Sequence, residues 1–206
     1  MMEPFDFNAL KEQAPTQRTT SARERMALLD ALYAEVLKRR KDLHAAMYAD
    51  FRKPAEEVDL TEVYVLKSEI AYVKRRLRGW MRPKPVRGGL AMLGSRAWVR
   101  REAKGVALIL APWNYPMQLL FRPLVSALAA GCTVMLKPSE MTPRTAQVLQ
   151  EIVEAVFDRR VVQIVQGGPE VAQALLAQPF DHVYFTGSPA VGKLVMAAAA
   201  QHPCSV

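Results

Sequence analysis

The chain has 206 residues, of which 50% are apolar and 23% charged. That balance excludes wholesale disorder, and ten Gly with fourteen Pro exclude collagen-like and linker compositions. The net charge of +8 is local: from Lys74 to Lys104 eleven Lys and Arg face one acid, Glu102, so that segment carries +10 and the rest −2.

Apolar residues at Met26, Leu29, Tyr33, Val36, Leu37 and Leu43 follow helical spacing from Ser21 to about Phe51. Ser21 with Glu24 makes a capping-box pattern at the start, and Pro54 stops the helix. A second helix is predicted from about Leu60 to Trp80. Val63, Leu66, Ile70, Val73 and Leu77 share one face, Asp59 is its cap, and Gly79 and Pro83 end it. Pro83 to Leu93 reads as a loop with Gly88 and Gly89. A hairpin follows, in which Arg96 to Arg101 alternates and Lys104-Gly105 supplies the turn.

From Gly105 the pattern changes to short, unalternating strands separated by helices. Strands are predicted at Val106–Leu110, Thr133–Leu136, Val161–Val165 and His182–Phe185. Helices are predicted at about Pro116–Ala130, Pro143–Phe157, Pro169–Ala177 and Pro189–Ala200. This rhythm indicates an α/β fold, a Rossmann-like parallel sheet with helices on both faces. Pro143 after Thr142 and Pro169 after Gly168 sit at first helical positions. A fifth strand is expected to begin at Ser205-Val206, and a sheet ending there leaves an unpaired apolar edge.

Four turns follow the carboxyl ends of strands, where an open α/β sheet binds its ligand. They are Pro112-Trp113-Asn114-Tyr115-Pro116, Lys137-Pro138-Ser139-Glu140, Gln166-Gly167-Gly168-Pro169 and Phe185-Thr186-Gly187-Ser188-Pro189-Ala190-Val191-Gly192-Lys193. Singly, each has a bland reading: a turn asparagine, a solvated Lys–Glu pair, a Gly-x-x-x-x-Gly of low specificity. Together, the P-W-N-Y-P, A-A-G-C-T-V-M-L-K-P-S-E and F-T-G-S-x-x-V-G-K strings resemble the aldehyde dehydrogenase family. The similarity is greatest to its class 3 and coniferyl aldehyde branch.

The resemblance implies a division into an N-terminal helical region, 1–82; a loop and oligomerisation-type hairpin, 83–104; and a partial NAD(P)-binding domain, 105–206. It implies that Asn114 donates its amide to the oxyanion formed on an aldehyde. Lys137 and Glu140 hold the adenosine ribose, with Glu140 favouring NAD over NADP. Gly187, Ser188, Val191 and Gly192 form the pyrophosphate turn and adenine contact. Pro112 and Trp113 wall the nicotinamide, and Gly167 and Gly168 lie near the adenine. Asn114, Tyr115, Met117 and Leu120 are the residues expected to line a substrate tunnel. The resemblance also implies a homo-oligomer, a dimer when completed.

The family's nucleophilic cysteine and general-base glutamate are expected beyond Val206. Cys132 reads as a small core residue, and Cys204 has no partner base in sequence. The isolated chain is therefore expected not to oxidise aldehydes. His44, His182 and His202 lack ligand spacing, so no metal is expected. Two cysteines without a framework, and no secretory pattern at Met1 to Leu10, lead to a cytoplasmic expectation. No apolar run is long enough for a transmembrane segment. Two alternatives stand beside this reading. One is a non-catalytic nucleotide-binding module that pairs with a full-length relative. The other is an anion or nucleic-acid binder through Lys74–Lys104, which has few stacking aromatics and for which no nucleic acid is expected.

Overall fold

A computed structural model describes residues 5–86, 89, 92 and 94–206. Four parallel strands form the central sheet: β3 (Val106–Leu110), β4 (Thr133–Lys137), β5 (Val162–Ile164) and β6 (His182–Phe185), in the order β5-β4-β3-β6. Leu108 pairs with Met135 on one side and Val183 on the other. The strand order reverses beside β3, so the turns after β3 and β6 open at a switch point.

Side chains alternate across this sheet. Ile109, Val134 and Leu136 point into the larger core, against helices α2 (Ala22–Lys38), α3 (Arg40–Phe51), α5 (Tyr64–Met81), α6 (Gln118–Ala130) and α7 (Pro143–Val156). Val106, Leu108, Leu110 and Met135 point into the opposite core, with α1 (Phe7–Thr19), α8 (Pro169–Leu176) and α9 (Pro189–Ala199). Every residue of β3 and β4 is buried, which explains their unalternating sequence.

Several local expectations hold. The Ser21–Glu24 capping box is complete, Pro143 and Pro169 open α7 and α8, and Ser188 caps α9 by accepting from the Val191 N–H at 3.3 Å. Ser205 makes a single isolated parallel bridge to His182 beside β6.

Others are corrected. The first predicted helix is two, broken at Arg39, whose ψ of 15° leaves the helical region. Leu37 is exposed, and Leu32 takes the core position instead. The second helix starts earlier, at α4 (Ala55–Val58), and passes through a π-helical turn, Asp59–Val63, before α5. Asp59 is no cap; its carboxylate pairs with Arg40 and His44. α5 continues through Gly79 to Met81. The hairpin's strands are β1 (Lys84–Val86) and β2 (Ala97–Val99), so β2 pairs with an upstream partner. Lys104-Gly105 is then the lead into β3, not a hairpin turn. Arg87, Gly88 and Leu93 lie outside the described residues.

α1 precedes the first helix that the spacing predicts, which starts at Ser21. Phe7, Leu10 and Ala14 bury its inner face, and Thr133 Oγ1 donates to the Leu10 carbonyl at 3.0 Å, fixing the helix to the start of β4. Gly131 ends α6 in the left-handed region, φ 90°. The Arg25 guanidinium fills the space where its Cβ would stand, and donates to the carbonyls of Ala129 and Arg18 and to Thr20. Within the basic segment, Lys74 pairs with Asp30 and Arg76 stacks on Tyr72, 4.0 Å from its centroid. Among the described residues no helix is long and apolar enough to cross a membrane.

Candidate nucleotide site

A cavity of about 820 Å³ opens at the carboxyl ends of the strands and runs between α8 and α9. Leu110 and Phe185 reach it from the ends of β3 and β6. Pro169, Ala172 and Leu176 line one wall, and Val191, Leu194, Val195 and Ala198 the other. Lys137, Ser139, Glu140 and Ser188 supply polar groups. A slot that is mostly apolar, with a few convergent polar side chains, is the usual form of a small-molecule site.

Of the residues singled out in the sequence, Pro112, Lys137, Glu140, Gly187, Ser188 and Val191 line this one cavity. Lys137 Nζ lies 2.9 Å from Glu140 Oε2 and 3.1 Å from the Pro138 carbonyl. The lysine side chain is 7% exposed and the glutamate 45%. Burial pushes the Glu140 carboxyl up, but its own N–H and Lys137 outweigh this and leave it below the usual carboxylate range. It is ionised at neutral pH, a doubly accepting group beside a fixed ammonium.

At Gly187 a Cβ would run into the Phe185 ring, so the turn approaches the end of β6 as only glycine allows. Gly192 lies one turn into α9, and its N–H donates to the Ser188 carbonyl at 2.9 Å. It packs over Phe185, where an added Cβ would sit at 3.5 Å. The first turn of α9 thus presents Ser188 and the positive end of the helix toward the cavity.

The remaining expected residues stand outside this cavity. Gly167 and Gly168 precede α8, and the Gly168 N–H donates to Glu170 Oε1 at 3.0 Å. Trp113 is 44% exposed and meets Phe51 edge to face, centroids 6.3 Å apart. Asn114 is exposed in the turn after β3. Met117 and Leu120 are wholly buried in the larger core. They face inward because α6 begins directly behind the turn.

Sequence reading missed the apolar walls. Their one signal was that α9 is apolar nearly all round, PAVGKLVMAAA, leaving Val191 and Leu194 46% and 69% exposed. It also missed Lys53 and Glu62, a buried pair 2.7 Å apart. Burial pushes the Glu62 carboxyl up, against the lowering effect of Lys53 and the Gln118 N–H.

Cys132 is buried beneath the start of β4. The Cys204 thiol is pushed up, chiefly by burial, so little thiolate is present at neutral pH.

Comparison with known proteins agrees with the fold. The model of the Aldehyde dehydrogenase family matches residues 7–206. Mouse aldehyde dehydrogenase family 3 member B3 is 40% identical over 202 residues, covering 97% of this chain and 42% of that protein. Human aldehyde dehydrogenase family 3 member B1 is 41% identical over 203 residues, 98% of this chain and 43% of that protein. A Staphylococcus aureus AldH structure, described as a substrate-bound state, superposes with a TM-score of 0.94 at 36% identity, covering 97% of this chain and 44% of its own. The chain therefore spans less than half the length of the relatives it matches, and it belongs to the aldehyde dehydrogenase family.

Proposed function

We propose that this chain binds the adenosine half of a nicotinamide dinucleotide between α8 and α9, as the nucleotide-binding part of an aldehyde dehydrogenase. The observation that carries the reading is the convergence of Lys137, Glu140, Gly187 and Ser188 on one apolar slot. Each supplies what such a ligand needs. The walls of Pro169, Ala172 and Val191 suit a flat, apolar base. The ionised Glu140 accepts from the ribose hydroxyls, and Lys137 holds it in place. Ser188 and the amino end of α9 favour the pyrophosphate. The close approach of the Gly187 turn to the Phe185 ring leaves no room for a larger residue at this point of the turn.

NAD is favoured over NADP, because a carboxylate that accepts from a 2′-hydroxyl repels a 2′-phosphate. Bound there, the nicotinamide would supply a hydride acceptor. This chain's own part is to bind, to orient and, through Asn114, to offer an amide donor for an oxyanion. The 206-residue polypeptide by itself is proposed not to oxidise aldehydes, because neither Cys132 nor Cys204 is set up to attack one. In the whole enzyme the reaction is proposed as NAD(P)-dependent oxidation of an aldehyde to a carboxylic acid by a homo-oligomer.

Calorimetric titration with ADP-ribose, NAD and NADP tests the reading. Saturable binding of ADP-ribose and NAD, with NADP weaker, is expected. Absence of ADP-ribose binding to the folded chain would refute it.

A further inference from the structure

Lys53 and Glu62 form the most deeply buried ion pair among the described residues, with side chains 2% and 0% exposed. Neither lines the nucleotide cavity. Replacing such a pair with apolar residues is often neutral or stabilising, so its presence in a core calls for a reason other than stability. The contacts supply one. Glu62 uses its second oxygen, Oε2, to accept the Gln118 N–H at 2.7 Å. α6 has no side-chain cap of its own, and the first N–H groups of a helix lack partners inside it. Lys53 Nζ, besides bonding Glu62 Oε1, stands 4.1 Å from the Tyr115 ring centroid. Glu62 itself lies in the π-helical turn, Asp59–Val63, a distortion often found at functional positions.

The turn after β3 is thus gripped at three successive points. Trp113 leans on Phe51, Tyr115 lies over the Lys53 ammonium, and Gln118 is bonded to Glu62. Asn114 stands between the first two. We propose that Lys53 and Glu62 are positioning residues that fix the turn carrying Trp113 and Asn114, and so set the nicotinamide and oxyanion end of the site. Only the identity of that end rests on the nucleotide reading above; the fixing of the turn does not.

The test uses the full chain carrying Trp80→Phe and Trp98→Phe, which leaves Trp113 as its one tryptophan. Lys53→Met/Glu62→Leu is added to remove the pair without stranding a charge. Lys53→Met/Glu62→Gln removes the ammonium but keeps an acceptor for the Gln118 N–H. Acrylamide quenching of Trp113 reports the turn, and calorimetry with ADP-ribose reports the adenosine half.

Trp113 is 44% exposed, so release of the turn raises its quenching constant by up to about twofold. That rise is expected for Lys53→Met/Glu62→Leu, with a smaller one for Lys53→Met/Glu62→Gln. ADP-ribose affinity is expected to stay within about twofold, as for sites that share no partner. Unchanged quenching in the Leu-bearing variant would overturn the proposal. So would a parallel loss of ADP-ribose affinity, which would show an effect spread through the fold. If the parent chain binds no ADP-ribose, the nucleotide reading fails alone, and the Trp113 comparison still decides whether the pair fixes the turn. If the Leu-bearing variant does not fold, the Gln-bearing one decides by the same two readings.

Discussion

Replacing Glu140 with glutamine keeps the shape and an acceptor oxygen but removes the charge. A hydrogen bond to a charged group contributes about 1.5–3 kcal/mol and one between neutral groups about 0.5–1.5. The Glu140 side chain is 45% exposed, which places it toward the lower end of both ranges. A loss of about 1 kcal/mol follows for NAD, or roughly fivefold in affinity. NADP responds in the opposite direction. Unit charges about 4 Å apart repel by about 1 kcal/mol in water and about 4 kcal/mol at an effective dielectric of about 20. Half-exposure of Glu140 argues for about 1–2 kcal/mol of relief when its charge is removed. The NAD-to-NADP preference of Glu140→Gln is therefore expected to fall by on the order of 30- to 150-fold. Parallel calorimetric titrations of the two dinucleotides measure it. A ratio unchanged to within about threefold would show that Glu140 does not face the 2′ position, and the ribose assignment would go with it.

Gly187→Ala drives a Cβ into the Phe185 ring; overpacking strain of about 1–3 kcal/mol is expected to cut ADP-ribose affinity tenfold or so, as read by calorimetry. Lys53→Met alone strands the buried Glu62 carboxylate and is expected to cost about 3–5 kcal/mol. That lowers the midpoint of a circular-dichroism melt by about 6–20 °C, whereas Lys53→Met/Glu62→Leu melts close to the parent. The His182 imidazole is held below its ordinary value by burial and by Lys104. A depressed pKa means that folding disfavours the charged ring, so its contribution is complete above the unfolded pKa, about 6.5, and is lost as pH falls from there through the folded value. His182→Asn should therefore flatten the pH dependence of the melting midpoint on the acid side of neutrality; an unchanged slope counts against it. Purified chain mixed with NAD and an aldehyde is expected to yield no NADH, and Cys132 is expected to resist alkylation until the protein unfolds.

The parallel sheet was legible because its central strands, β3 and β4, are buried on both faces. Val106–Leu110 and His182–Phe185 coincide with the observed bounds. Proline at the first helical position made the starts of α7, α8 and α9 readable. α1 was illegible because only four of its thirteen residues are buried, Gln17 among them, and Pro15 lies inside it. What holds it is the opposite core and the Thr133 hydroxyl, neither of which shows in a local window. The break at Arg39 and the π-helical turn are likewise set by tertiary packing, since no Gly or Pro marks them.

The hairpin was misread because strand pairing depends on a partner that alternation alone does not identify. At the site, motif residues could be named from sequence because turns at strand ends carry unusual side chains. The apolar walls could not, because Ala172, Leu176 and Leu194 look like ordinary core residues until two helices are seen to leave a slot between them. Lys53 and Glu62 were invisible for a related reason. Nine residues apart and separated by Pro54, they meet only because α3 ends and α4 turns back.

The most direct measurement of the central claim is a crystal structure of the chain soaked with ADP-ribose. The account predicts the base between α8 and α9, the ribose hydroxyls on Glu140 beside Lys137, and the pyrophosphate over Gly187 and Ser188. A ligand bound elsewhere, or an empty slot at a concentration that saturates the calorimetric signal, would contradict it.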